Sequence, residues 1–152
     1  MKICKTIEEL IDLAKDGPLI CLDYGAKKVG IAISSPNRSI ALPLGILAND
    51  SKKIYASIQN LISKHNIEAI IIGLPLLTDG KETSSTLTVK NFAQKILSCT
   101  NLPIFLQEER RTTLAADSLL KIAGFNRKER STRDDTIAAC LILESVLGRI
   151  EP

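Results

Sequence analysis

Five acids in this chain have flanks that set them apart from ordinary solvated charge: Asp23, Glu108, Glu109, Asp134 and Asp135. Asp23 lies in "LICLDYGAKKVGIAIS" (19–34), behind Leu19, Ile20, Cys21 and Leu22 and ahead of Val29, Ile31, Ala32 and Ile33. A carboxylate at the end of such a run is expensive to bury unless something pairs with it. Glu108 and Glu109 follow the apolar run "PIFLQ", and Asp134 and Asp135 open "TIAACLILESVL". Asp135 shares a helical face with Ala138, Ala139, Ile142 and Val146, and the two alanines would let that helix lie close to a sheet. Converging carboxylates repel one another and raise each other's pKa values. A hard divalent cation with oxygen ligands, Mg²⁺ or Mn²⁺, removes that repulsion. Two such ions can hold both the attacking water and the leaving oxygen of a phosphodiester.

Each acid also has an ordinary explanation. Acids in the first turn of a helix are favoured by its dipole, whatever else they do. Glu108 and Glu109, followed by Arg110 and Arg111, read equally as an exposed charge cluster of little energetic weight. Asp23 before Tyr-Gly suits a turn. Composition and spacing therefore reach metal-dependent phosphate chemistry and stop there.

The elements that must position these acids follow from periodicity. "TIEELIDLAKDG" predicts a short amphipathic helix, with capping-box spacing between Thr6 and Glu9 and a stop at Gly17-Pro18. Strand-like runs cover Leu19–Tyr24, Val29–Ser34 and about Ile40–Leu47, the first two joined by a Gly25–Lys28 hairpin turn. Ile54, Ile58, Leu61 and Ile62 then share one helical face, with Asn66 as a stop and His65 as a cation near the helix end. "AIIIGLP" (69–75) predicts a buried strand, 84–97 a helix, 103–107 a fifth strand and Thr113–Ala123 a helix. A last helix is expected from a Thr132 cap to about Leu147. Three leading antiparallel strands followed by alternating units predict one α/β fold, a mixed five-stranded sheet flanked by helices. In such sheets ligands gather at the strand ends.

Bulk properties narrow the class. A chain of 152 residues that is 45% hydrophobic and 3% aromatic builds an aliphatic core without staples. Lys and Arg total 20 against 17 Asp and Glu, so net charge alone does not argue for a polyanion partner. Cys4, Cys21, Cys99 and Cys140 are scattered with no C-x-x-C pair, which excludes a zinc ribbon and a disulfide framework. The start "MKICKTIEEL" has no apolar signal core and no run approaches the ~18 residues of a membrane span, so a cytoplasmic protein away from the membrane is expected.

Four stretches together, "LDYGAKKVGIAIS" (22–34), "IIGLPLLTDGKE" (71–82), "EERRTTLAA" (108–116) and "DDTIAACLILES" (134–145), resemble the YqgF/RuvX family in its own order. The resemblance covers roughly residues 19 to 148 and implies a RuvC-like, ribonuclease H-type fold. It places Asp23, Glu109 and Asp135 on the family's acidic positions, as catalytic and metal-binding residues with Mg²⁺ or Mn²⁺, two ions in all. It implies a hydrolase that cuts phosphodiester bonds in structured nucleic acid, with 5′-end processing of precursor 16S ribosomal RNA in ribosome biogenesis as the favoured role. A Holliday-junction resolvase-like DNA endonuclease and a non-catalytic RNA-binding assembly factor are the alternatives. Residues 1–18 stand outside the resemblance as an N-terminal helical extension to a single nuclease domain, 19–150. Glu108 stands where the family commonly has Asp, and Leu77 where it often has Asn.

Around these acids, Lys27 and Lys28 in the turn after Asp23, Gly73 in a loop-and-helix phosphate seat, and Arg110 are candidate nucleic-acid contacts. Arg127, Lys128, Arg130 and Arg133, offset only by Glu129, form a basic loop suited to gripping a phosphate backbone beside Asp135. Tyr24 and Phe125 are the few aromatics placed to stack splayed bases, so weak sequence recognition is expected. The expected partner is thus nucleic acid, precursor rRNA ahead of branched DNA, bound by a monomer or a homodimer. The pattern Asp-x-Gly-x-x-x-x-Gly is also similar to the phosphate loop of actin-like and sugar-kinase-like ATPases. That architecture needs two such domains, more than 152 residues supply.

Overall fold

The computed structural model describes residues 2–109 and 127–150, the side chains of 127–135 excepted. In chain order the elements are β1 (Ile3–Cys4), α1 (Ile7–Leu13), β2 (Leu19–Tyr24), β3 (Lys28–Ser34) and β4 (Ala41–Ala48). There follow α2 (Ile54–His65), β5 (Ala69–Pro75), α3 (Ser84–Cys99), β6 (Ile104–Glu109) and α4 (Arg127–Leu147). The helix expected over Thr113–Ala123 lies outside the described residues.

The strands form one mixed sheet in the order β1-β6-β5-β2-β3-β4. β2, β3 and β4 are antiparallel neighbours, whereas β5 and β6 run parallel to β2, as crossover connections through helices require. Six strands stand where five were expected. The additional one is β1, a two-residue strand whose Ile3 and Cys4 pair in parallel with Ile104 and Phe105. Two residues carry no readable alternation, which is why the pattern concealed it.

Alternation along the central strands sorts side chains into two cores, one on each face of the sheet. Ile20, Leu22, Ile70, Ile72 and Ile104 face α2 and α3 and pack with Ile58, Val89, Phe92 and Ile96. Leu19, Cys21, Ala69, Ile71 and Phe105 face α1 and α4 and pack with Ile7, Leu10, Ala139, Ile142 and Val146. The helix caps follow the expected chemistry. Thr6 accepts from the Glu9 N–H at 3.1 Å, and Asn66 ends α2 in the left-handed conformation at φ 54°. The Glu9 carboxylate reaches back to the Lys5 N–H rather than to that of Thr6.

α4 differs most from expectation. It begins at Arg127, so Thr132 lies inside the helix and caps nothing. Arg127, Lys128, Arg130 and Arg133, read as a loop, belong to its first two turns. Polar and charged residues at a helix start look like a loop when only apolar periodicity is counted. The N-terminal segment contributes more than a helix, since it supplies a strand to the sheet and three buried side chains, Cys4, Ile7 and Leu10, to the core.

If α1 is part of the core, Leu10→Ala should cost about 2–5 kcal/mol, the usual range for a fully buried leucine. Urea unfolding monitored by circular dichroism measures this. A loss well below 1 kcal/mol would mean that the helix is an appendage.

Candidate active site

Asp23 and Glu109 reach the same place by the same rule. On β2, Leu19 and Cys21 point into the core beneath α4, and Asp23 continues that row to the strand's C-terminal end. On β6, Phe105 points into that core, and Glu109 continues the row through Gln107. Both acids are half-buried, whereas Glu108 points to the other side and is exposed. This distinction favours Glu109 over its neighbour. β5 separates the two strands, so the backbones that carry the acids stand roughly 10 Å apart, at about 4.8 Å per strand.

The fully buried Cys21 thiol reports the field of this edge. Burial first, then the charges of Asp23, Cys140 and Glu109, push its pKa well above the ordinary thiol value. Cys140 on α4 is likewise raised, to about 11, by burial and then by Glu144. Both cysteines therefore remain neutral thiols at pH 7 and act as core residues.

α4 crosses this face of the sheet at close range. Ala138 and Ala139 are fully buried, and Ile142 sits directly over Gly73 of β5. A Cβ on Gly73 would stand 2.7 Å from the Ile142 Cδ1 atom, closer than packing allows. Gly73 was expected in a phosphate seat; the structure places it under α4, and this packing accounts for the glycine without a ligand. Asp135 occupies α4 one turn before Ala139, about 6 Å along the axis, and its side chain lies outside the described residues. Among the described residues no group of three potential ligands forms a metal site, and Asp23 and Glu109 are its two described candidates. Their chemistry fits a hard cation, being all-oxygen, anionic and set against a core that repels uncompensated charge.

The turn after Asp23 is rigid. The Asn49 side chain donates to the Gly25 carbonyl at 2.7 Å, and its backbone N–H donates to that of Lys27 at 2.9 Å. A Cβ on Gly25 would stand 2.6 Å from the Lys28 carbonyl, so only glycine permits this tight return. Lys27 is exposed on the turn and Lys28, the first residue of β3, is half-buried. Arg110 lies outside the described residues, as does Phe125, and of Arg127, Lys128 and Arg130 only the helical backbone is described.

Two contacts at this edge were not legible beforehand. Ser145 of α4 donates to the Ile142 carbonyl at 2.7 Å and approaches a Glu109 carboxylate oxygen at 3.4 Å. Arg149 donates to the Gln107 side chain and to the Ser145 carbonyl. A serine ten residues beyond Asp135 gives no sign in the sequence that it meets β6. Asn49 was equally silent, since an Asn after a strand reads as a turn residue.

A family model described as "RuvX: Holliday junction resolvase" matches residues 17–149. A protein of Rickettsia peacockii (strain Rustic) named "Putative pre-16S rRNA nuclease" is 46% identical over 151 residues, covering 98% of each chain. One of Rickettsia bellii (strain OSU 85-389), named the same way, is 48% identical over 139 residues, covering 91% of this chain and 90% of that one. Among solved structures, T. thermophilus RuvC in complex with Holliday junction substrate superposes with a TM-score of 0.53 at 14% identity, covering 88% of this chain and 95% of that one. That likeness identifies the fold as ribonuclease H-like.

Gly73→Ala should destabilise the protein by about 1–3 kcal/mol through overpacking against Ile142. Adding Ile142→Val should recover part of that loss, because it removes the clashing methyl. Equal stability of Gly73→Ala and the parent in urea would show that α4 does not rest on this contact.

Proposed function

The chain belongs to the RuvX family, and from that premise we propose that it is a metal-dependent nuclease that hydrolyses phosphodiester bonds in structured nucleic acid, with the 5′ end of precursor 16S rRNA as substrate. The observation that carries this reading is the placement of Asp23 and Glu109 on one face and one edge of the sheet, beneath the helix that bears Asp135. The rRNA assignment is supported by the names of relatives at 46% and 48% identity. A branched-DNA substrate is the second reading, supported by the family's description as a Holliday junction resolvase.

Asp23, Glu109 and Asp135 would hold Mg²⁺ or Mn²⁺, which when bound supplies an activated water and neutralises charge developing on the phosphate. The residues' own work is to fix that site. Asp23 and Glu109 are anchored at the ends of β2 and β6, on either side of β5, so the reacting phosphate meets a preformed edge. Lys27 stands on the pinned turn beyond Asp23, ready to contact the backbone of the bound strand. Arg127, Lys128 and Arg130 stand on the first turn of α4, the helix that bears Asp135, and would supply cations for the phosphate backbone. His65, at the end of α2, takes no part, and no histidine base is required when a metal lowers the pKa of water.

A panel of precursor 16S rRNA, a four-way DNA junction and single strands, incubated with Mg²⁺ or Mn²⁺, tests the reading. Cleavage of the precursor near its 5′ end is expected, and it should vanish in Glu109→Gln and Asp135→Asn while both variants stay folded. Undiminished cleavage in either variant would remove that residue from the site, and preferential cutting of the junction would favour the DNA reading. Replacing Arg127, Lys128 and Arg130 together with Ala should weaken RNA binding and reduce the slope of log affinity against log salt by about 2, at about 0.7 per single-strand phosphate contact. An unchanged slope would leave these side chains as plain solvated surface.

A further inference from the structure

On the opposite face of the same sheet edge lies a cleft of about 460 Å³, walled by Tyr24, Ala26 and Pro75 on one side and Ser85, Thr88 and Val89 of α3 on the other. We infer that this cleft receives one unpaired nucleoside of the substrate, the unit adjoining the scissile phosphate. The inference rests on the nuclease reading for its substrate, and on three observations for its place.

The first is continuity. Tyr24 is the residue after Asp23 on β2, and Pro75 is the register partner of Glu109 across β5 and β6. The sheet-side wall of the cleft therefore adjoins both site acids, Asp23 along the chain and Glu109 across the strands. A strand whose phosphate lies at Asp23 and Glu109 must cross the sheet's edge, and its next nucleoside then meets Tyr24. The second is size and shape. The volume falls within the ~300–1,000 Å³ of small-molecule sites, enough for a base and its sugar and too little for a base pair. The bound unit must thus be unpaired, as in a loop, an overhang or an opened end.

The third is the lining. Tyr24 is held by Phe92, with ring centroids 4.6 Å apart and tilted by 52°, and Phe92 is braced in turn by Tyr55 at 5.9 Å. An aromatic wall fixed in this way loses little entropy when a base packs against it. Val89 and Pro75 add apolar surface, while Ser85 and Thr88 are exposed and carry hydroxyls able to meet sugar or base edges. The α3 wall is rigid too. Thr86, buried behind it, donates to the Pro75 carbonyl at 2.6 Å and shares a capping box with Thr83, which locks the helix to the end of β5.

The test uses the full chain in chelator, so that binding is read apart from cleavage. Millimolar 5′-AMP should shift the amide resonances of Gly25, Ala26, Ser85 and Thr88 in ¹⁵N spectra, and inorganic phosphate should not. Ser85→Leu and Thr88→Leu, both at exposed positions, fill the cleft and remove its hydroxyls. Each should weaken AMP binding at least about tenfold, as loss of one base contact does. Each should also raise KM for single-stranded precursor RNA by a similar factor, with the Mg²⁺-induced rise in melting temperature as in the parent. The inference is overturned if inorganic phosphate alone reproduces the shifts, if AMP moves only other amides, or if both variants bind AMP like the parent. Shifts at the cleft in a protein that cuts no substrate with either metal would sustain the nucleoside site and sink the nuclease reading. Cleavage in a protein whose cleft amides are silent would do the reverse.

Discussion

The contact between Ile142 and Gly73 is the constraint on which this edge of the molecule depends. A helix that carries one acid must lie across a sheet that carries two others, and the spacing between them is set by how closely helix and sheet approach. Fully buried Ala138 and Ala139 let α4 lie close over β2, β3 and β4, and the missing Cβ of Gly73 admits Ile142 where the helix meets β5. The approach is close, since one methyl group at Gly73 would enter the space of the Ile142 Cδ1 atom and the tip of that side chain would have to turn aside. Everything proposed for Asp135 rests on this seat, because the side chain extends from a helix whose height is fixed two turns further on.

The same edge concentrates an electrostatic tension. Asp23 and Glu109 stand half-buried above a core whose nearest member, Cys21, is fully enclosed and feels both charges. Like charges brought together near low-dielectric material repel with little screening and lower stability. A fold tolerates that cost where a cation or a phosphate-bound cation offsets it. Beside α3 the same edge presents the Tyr24 ring, with the hydroxyls of Ser85 and Thr88 across the cleft from it.

Much of this was legible from the residues. The runs 19–24, 69–75 and 103–107 read as strands because the β-branched and apolar residues are continuous and bounded by turn residues. The alanines at 138 and 139 announced a close helix. Choosing Glu109 over Glu108 needed the family resemblance, and strand alternation then supplied a physical reason for it. What stayed hidden depends on partners distant in sequence. β1 is two residues long and is stabilised by β6, a hundred residues away. Ser145 meets Glu109 only because α4 crosses the sheet, and Asn49 pins the Asp23 turn from the far end of β4. The packing of Gly73 against Ile142 is hidden as well, because its partner lies on a distant helix. The start of α4 was placed late because its first two turns are almost wholly polar.

The central claim is that Asp23 is tolerated beside an apolar core because a divalent cation pairs with it. Thermal melts of the parent and Asp23→Asn, each in chelator and in Mg²⁺, test this most directly. The substitution keeps size and removes charge, so the metal-free variant should be as stable as the parent or more so. Mg²⁺ should raise the parent's melting temperature, since a ligand bound only by the folded state stabilises it, and the variant should lose most of that response. A variant that is less stable without metal, yet responds to Mg²⁺ as the parent does, would make Asp23 a structural turn residue and contradict the account.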